Sequence, residues 1–435
     1  MELGTVAHRP AANIRILIVL PTETAETDIP LAEVVNAEPQ ETFEEASPEM
    51  IAERAGVDVT SYRLPEFPHP LRRPFAALGW IVRALFGIGS LIVMLALIAA
   101  IPIVNFLAFG YLLEVEARVA RTGKLRNAFL LLDVAPRLGS IALGIWLWLI
   151  PLRYLGLLRN DAYWLDPQGA ASRRLEFFVP LAAFLVGTHI CLALARGGSL
   201  SCFFRPIKNV RWLLQRWRQG DYWAIATAGI QDVVQRLRLK HHFLLGVRGF
   251  FGALVWLLIP SALLAAGNPE QPATFILSVI GGVLLLFVLC WVPFLQARFA
   301  MTGRWKTMFQ LSAIRQLFCF APIAWLVAIV LTYALSFPLI LSKVYLLPQD
   351  ARWFITLIFI VSIYPAKVVT GWAMHRALKR QDWPWFGWRW MVRALLAPLL
   401  AVYVFVLFFT PLISEHGRAV LFEHHALLLP APALF

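Results

Sequence analysis

Three side chains, Asn105, His189 and Lys367, fall inside long apolar runs of this sequence. A polar or ionisable group in such a place is costly unless it pairs, reaches the surface or serves a site. His189, with Thr188 and Cys191 beside it, has the ring nitrogens of a ligand or of a hydrogen-bonded packing residue. Lys367 follows Tyr364-Pro365, where its ammonium either faces a cavity or extends to the headgroups. Arg153 and Arg248 stand within a turn or two of an apolar end, and snorkelling accounts for them.

A second set of residues occurs twice. Ala117, Arg118, Ala120, Thr122, Gly123, Lys124, Arg126 and Phe129 return 180 positions later as Ala297, Arg298, Ala300, Thr302, Gly303, Arg304, Lys306 and Phe309. Each set follows a long apolar run. The pattern predicts a helix leaving the lipid, ended by Gly123 or Gly303 in the left-handed conformation glycine tolerates. Arg118, Lys124 and Arg126, with Arg298, Arg304 and Lys306, then lie at headgroup level. Each such cation is worth about 1 kcal/mol toward anionic lipid, so anchoring needs no dedicated pocket. Glu114 and Glu116 have Phe294 and Gln296 as their counterparts, and Glu114 with Arg118 has the spacing of an i, i+4 pair.

Enzyme chemistry has few residues to use. The sequence holds no His-Glu-x-x-His, no phosphate-loop Gly-x-x-x-x-Gly-Lys-Ser/Thr, no Gly-x-Ser-x-Gly and no pair of carboxylates at catalytic spacing within an apolar run. His241-His242 and His424-His425 are adjacent and point about 100° apart on a helix, so neither pair chelates one ion as an i, i+4 pair would. Cys191, Cys202, Cys290 and Cys319 are scattered without Cys-x-x-Cys spacing, and suggest neither a disulfide framework nor a zinc site. Neither cofactor nor metal is expected.

The elements that carry these residues follow from composition. The chain has 435 residues, 59% hydrophobic and 15% charged, with mean hydropathy +0.68. Ordinary soluble domains carry about 25% charged residues, so this is a polytopic membrane protein. Thirteen acidic and four basic residues lie in 1–70, leaving 35 basic and 13 acidic beyond it. The tail 1–70 is rich in Glu, Pro, Ala and Thr and is expected to be mostly disordered. Residues 71–88, with Arg72, Arg73 and Arg83, read as an interfacial lead-in helix.

Eight apolar segments then recur, each long enough for a hydrocarbon core of about 30 Å. They run over 90–113, 138–158, 177–195, 243–266, 274–295, 317–341, 353–372 and 392–413. The predicted fold is an all-α multi-pass bundle on an internal parallel duplication. A first membrane unit (89–195, three spans) is joined by a basic cytoplasmic segment (196–242) to a second (243–413, five spans), with a C-terminal tail (414–435). The basic loops 114–137, 196–242, 296–315 and 375–390 alternate with less basic ones, as cytoplasmic retention of Lys and Arg requires. A single first span puts both chain ends on the other side; a hairpin in the first apolar region would return the tail to the basic side. The single span is the expectation, because 274–295 has no room for a hairpin. Four spans separate the two copies, so they should be parallel.

Within 196–242, Ile207, Val210, Leu213, Leu214 and Trp217 share a face against Lys208, Arg211, Arg216 and Arg218. After Gly220, Trp223, Ala226, Ile230, Val233, Val234 and Leu237 form a second stripe. These two amphipathic helices are expected to seal the cytoplasmic face of the bundle, with anionic lipid or a protein as the alternative partner. The acidic tail is a second place for a protein partner. Positive charge beside apolar segments points to anionic headgroups rather than nucleic acid.

Pro102-Ile103-Val104-Asn105-Phe106, then Gly110-Tyr111-Leu112-Leu113, Arg118 and Gly123, resemble a bacterial family of polytopic membrane proteins, a domain of unknown function with a Pro-bearing span, Gly-Tyr and a basic helix exit. The second copy has Cys290-Trp291 in place of Gly110-Tyr111. The resemblance implies this topology and a bacterial inner membrane, and carries no activity. Non-enzymatic membrane organisation or scaffolding ranks first, a transporter or channel for a small anionic or lipidic solute second, a membrane-embedded enzyme third. A polar cavity between the repeats lined by Asn105, His189 or Lys367 would favour transport; a packed, dry centre would favour scaffolding.

Overall fold

The computed structural model describes residues 68, 72–132, 134–220, 237–267, 272–341, 352–380, 382–413, 417–424 and 427–428. The expected disordered tail lies outside them, as does most of the second amphipathic stripe. Among the described residues the chain is helical, without strands. The chain opens with α1 (Pro74–Ala99), α2 (Asn105–Thr122), α3 (Ala135–Leu165) and α4 (Ala170–Ala195). Short α5 (Leu200–Phe203) and α6 (Pro206–Gln219) follow. Then come α7 (Leu239–Ala266), α8 (Pro272–Thr302), α9 (Leu311–Phe320), α10 (Pro322–Leu341), α11 (Arg352–Lys379) and α12 (Phe386–Ile413). Eight of these, α1, α3, α4, α7, α8, α10, α11 and α12, are long and apolar enough to cross a bilayer.

The first apolar region departs from expectation. Residues 74–88, predicted as a separate lead-in, are the first half of α1, started by Pro74 at its first helical position. The predicted span 90–113 is broken after α1. Pro102 brings no N–H to the helix ladder, and Ile103 takes φ 69°, a left-handed conformation that ends a helix. The chain turns back into α2. Gly87 of α1 faces Leu132 and Pro136, while Tyr111 of α2 meets Tyr364, whose hydroxyl donates to the Ala128 carbonyl at 2.9 Å. Both helices therefore run past the segment 128–136, and the hairpin brings Arg72 and Arg73 to the same end as Thr122. A similar break divides the predicted span 317–341, where Ala321 leaves the helical region and Pro322 starts α10.

The core forms around α2. Every residue from Ala108 to Arg121 is buried, although four of them are Glu or Arg. This 18-residue helix is about 27 Å long and is packed by α1, α7, α8 and α11. Its crossing with α7 is a backbone contact: a Cβ on Gly110 would overlap the His242 carbonyl, and one on Gly246 would overlap the Phe106 carbonyl. Small residues at both positions are what let the two helices approach so closely. The Glu116 carbonyl likewise lies against Gly371 of α11. By contrast, α3 and α4 fully bury few residues of their apolar stretches, while α10 and α11 bury half or more of theirs. The α3–α4 pair is peripheral, tied to α1 where Gly139 meets Ser90.

Candidate functional site

Lys367 sits at the centre of the molecule. Its ammonium donates to Glu116 Oε2 at 3.1 Å and to Gln296 Oε1 at 2.8 Å, and lies 5.7 Å from the centroid of the Phe109 ring. The side chains of Lys367 and Glu116 are 3% and 0% exposed, and Gln296 is equally buried. Gln296 is oriented by its own amide, which donates to the Leu427 carbonyl at 2.8 Å. An ammonium held by two acceptors over an aromatic face recovers part of its lost hydration. Lys367 is thus enclosed and paired within the bundle instead of reaching the headgroups. Glu116 and Gln296 are the counterparts that immediately precede Ala117 and Ala297, so the ammonium bridges the same position of the two repeated stretches.

A second contact fixes their direction. Arg121 Nη2 reaches the Ala300 carbonyl at 3.5 Å, five residues beyond Glu116 in one helix and four beyond Gln296 in the other. The ends of α2 and α8 therefore run the same way and finish side by side. Their exits match in detail. Thr122 Oγ1 donates to the Arg118 carbonyl at 2.8 Å, and Thr302 Oγ1 to the Arg298 carbonyl at 3.0 Å. Gly123 and Gly303 both have φ 67°, where a side chain would be strained. Lys124 and Arg304 are both extended, and each is followed by a short 3₁₀ turn, Leu125–Ala128 or Trp305–Phe309.

The exit cations divide into two kinds. Lys124, Arg126, Arg304 and Lys306 are exposed, as headgroup contact requires. Arg118 and Arg298, expected beside them, are buried at 5% and 8% exposure, because the packed helix ends enclose them. Arg118 Nε reaches Glu114 at 3.4 Å, the predicted i, i+4 pair. Glu114 also meets Arg121 at 3.9 Å and His241 at 3.3 Å.

Comparison with protein-family models, curated proteins and solved structures yields no match to this chain. Its site is therefore read from its own geometry.

The structure does not gather the three intramembrane polar residues into one place. Asn105 opens α2, eleven residues and about 16 Å along the helix from Glu116. His189 belongs to the peripheral pair, where Nε2 donates to the Phe203 carbonyl at 2.8 Å and the ring lies 4.7 Å from that of Trp148. Trp148 Nε1 donates to the same carbonyl at 2.9 Å. Both rings dock α5 onto α3 and α4, a packing role. Among the described residues no three His, Cys, Asp or Glu side chains come together as metal ligands would.

The surface helix α6 also departs from expectation. Ile207, Val210, Leu214 and Trp217 are all exposed, at 45–69%, so its apolar stripe faces away from the bundle and seals nothing. It is held instead by Asn209, fully buried, which donates to the Cys202 carbonyl at 2.8 Å and accepts from Arg196 at 3.0 Å.

Sequence reasoning missed Glu116 with Gln296 as the partners of Lys367, and Arg121 with His241 as partners of Glu114. The repeat alignment pairs Glu116 with Gln296, and that pairing was the one signal available; Lys367 lies 251 positions from Glu116, beyond any local pattern.

Proposed function

We propose that this chain is a non-enzymatic scaffold of the bacterial inner membrane, built by duplication of a membrane unit and turned with its cationic end toward the anionic cytoplasmic leaflet. The observation that carries the reading is the closed centre. Lys367 is consumed by the two halves of the molecule through Glu116 and Gln296, and α2 meets α7 backbone to backbone at Gly110. Helices pinned this way transmit position rather than open a path. The matched exits and parallel helix ends support the duplication.

The α1–α2 hairpin supports a cytoplasmic N-terminal side, since Arg72, Arg73, Lys124, Arg126, Arg304 and Lys306 then share one end, as retention of positive charge demands. The exposed apolar stripe of α6, flanked by Lys208, Arg211 and Arg218, fits an interfacial helix lying in that leaflet. Protein partners would approach the same end, through 196–242 or the acidic tail.

Transport of a small anionic or lipidic solute is the second reading. It is favoured by Glu116 Oε1, a buried carboxylate oxygen without a partner, on a helix crossing the bundle. Flux separates the two. Liposomes holding the full chain should remain as impermeable as empty ones to a panel of organic anions and short-chain lipids. Saturable uptake of any of them, lost in E116Q, would replace the scaffold with a transporter.

A further inference from the structure

We propose that the acidic segment 22–53 docks onto the cationic exits of α2 and α8 in its own chain and shields them from anionic lipid. The exits form one patch. The Arg121–Ala300 contact at 3.5 Å joins the two helix ends, and the matched glycines at φ 67° lead into the extended backbone of Lys124 and Arg304. Lys124, Arg126, Arg304 and Lys306 are all exposed, and among the described residues none of the four has an ion-pair partner.

The helices offer few acids to meet these cations. Among the described residues, Glu114 and Glu116 are enclosed. Of the exposed carboxylates, Asp161, Asp166 and Glu176 stand at the far turn between α3 and α4, and Asp382 alone lies at the cationic end, where the bond from His375 to the Ala120 carbonyl holds the end of α11. The segment 22–53, by contrast, carries ten carboxylates and no Lys, Arg or His.

The start of α1 puts that segment within reach. The α1–α2 hairpin brings Arg72 to the end that carries Thr122, and Glu53 and Glu23 lie 19 and 49 residues before Arg72. Chains of those lengths have end-to-end distances of about 25–40 Å, enough to cover two adjacent helix ends about 10 Å apart. Anionic headgroups compete for the same cations but repel the segment, so the exits are the positive surface that it can meet. One exposed ion pair is weak. Tethering raises the effective concentration to the order of millimolar, and several weak pairs formed together then hold. The inference takes the lipid-facing exits from the reading above; it needs neither the scaffold nor the transporter.

The test uses the full chain, a single copy in each nanodisc, with its own cysteines replaced and spin labels at A37C and L125C, the latter an exposed position beside Lys124. In phosphatidylcholine at low salt the pair should show a short-distance population that about 1 M salt disperses. Changing the ten carboxylates to amides should remove it, as should K124Q/R126Q/R304Q/K306Q, whereas K208Q/R211Q/R218Q on α6 should leave it in place. Phosphatidylglycerol should displace the segment. The amide variant should reach half-maximal enrichment of that lipid at about three- to tenfold lower mole fraction, the gain when a face free for about a third to a tenth of the time becomes free throughout. Absence of the short-distance population from wild type, its survival in either neutralised variant, or its equal loss on changing α6 overturns the docking. Enrichment of phosphatidylglycerol by neither chain, with the distance intact, upholds the docked segment and refutes the headgroup reading of the exits instead.

Discussion

Replacing Lys367 by Met removes the ammonium that joins α2, α8 and α11 while keeping the volume of its stem. Glu116, wholly buried, then loses its one hydrogen-bond donor, and its Oε1 is already without a partner. Gln296 keeps its amide bonds to the Leu427 and Gly249 carbonyls, at 2.8 and 3.5 Å, while its Oε1 loses the ammonium. Stripping one member from a buried pair costs about 3–5 kcal/mol. At about 2 °C per kcal/mol for a chain of this size, the thermal midpoint in nanodiscs should fall by roughly 6–10 °C. Removing both charges is a different perturbation. K367M/E116Q leaves no bare carboxylate, and its midpoint should recover to within about 3 °C of wild type, since neutral replacement of a buried pair is often nearly free. K367M indistinguishable from wild type, or a double variant as unstable as K367M, would refute the clamp.

Other consequences are as direct. G110A drives a methyl into the His242 carbonyl and should destabilise by about 1–3 kcal/mol or more, read as a lower midpoint in the same assay. Gly123 and Gly303 share one left-handed φ, yet a Cβ on Gly123 would overlap the His375 ring whereas Gly303 has open space. G303A should therefore cost about 1–2 kcal/mol and G123A measurably more; equal losses would contradict the packing at the first exit. Changing Lys124, Arg126, Arg304 and Lys306 together to Gln should lower the enrichment of anionic lipid around the protein, measured in mixed liposomes, while the midpoint moves little. H189A should cost only about 1 kcal/mol but loosen α5, so that Cys202, buried in wild type, reacts faster with maleimide.

Much of the bundle was legible because apolar runs long enough to cross a bilayer are an unambiguous pattern, and the glycines at 123 and 303 mark helix ends by a mechanism. What failed had local causes. Ile103 is β-branched and carries no signal for φ 69°, so Pro102 read as a proline within a span instead of the start of a reversal. The arginines of the repeat looked superficial because sequence reports charge and not enclosure. Arg118 and Arg298 are enclosed at 5% and 8% exposure where helices distant in sequence pack together. The stripe on α6 was correctly placed on one face, but periodicity alone does not say whether that face meets protein or lipid; the burial of Asn209 turned it outward.

The parallel, one-ended arrangement is tested most directly by a cysteine placed at Lys124 or at Arg304, in a chain freed of Cys191, Cys202, Cys290 and Cys319. Each is challenged in oriented vesicles with an impermeant maleimide. Both positions should react from the same side of the membrane, the side that also exposes a cysteine at Arg72. Reaction of the two exits from opposite sides would contradict the structure of the central helices and the scaffold built on it.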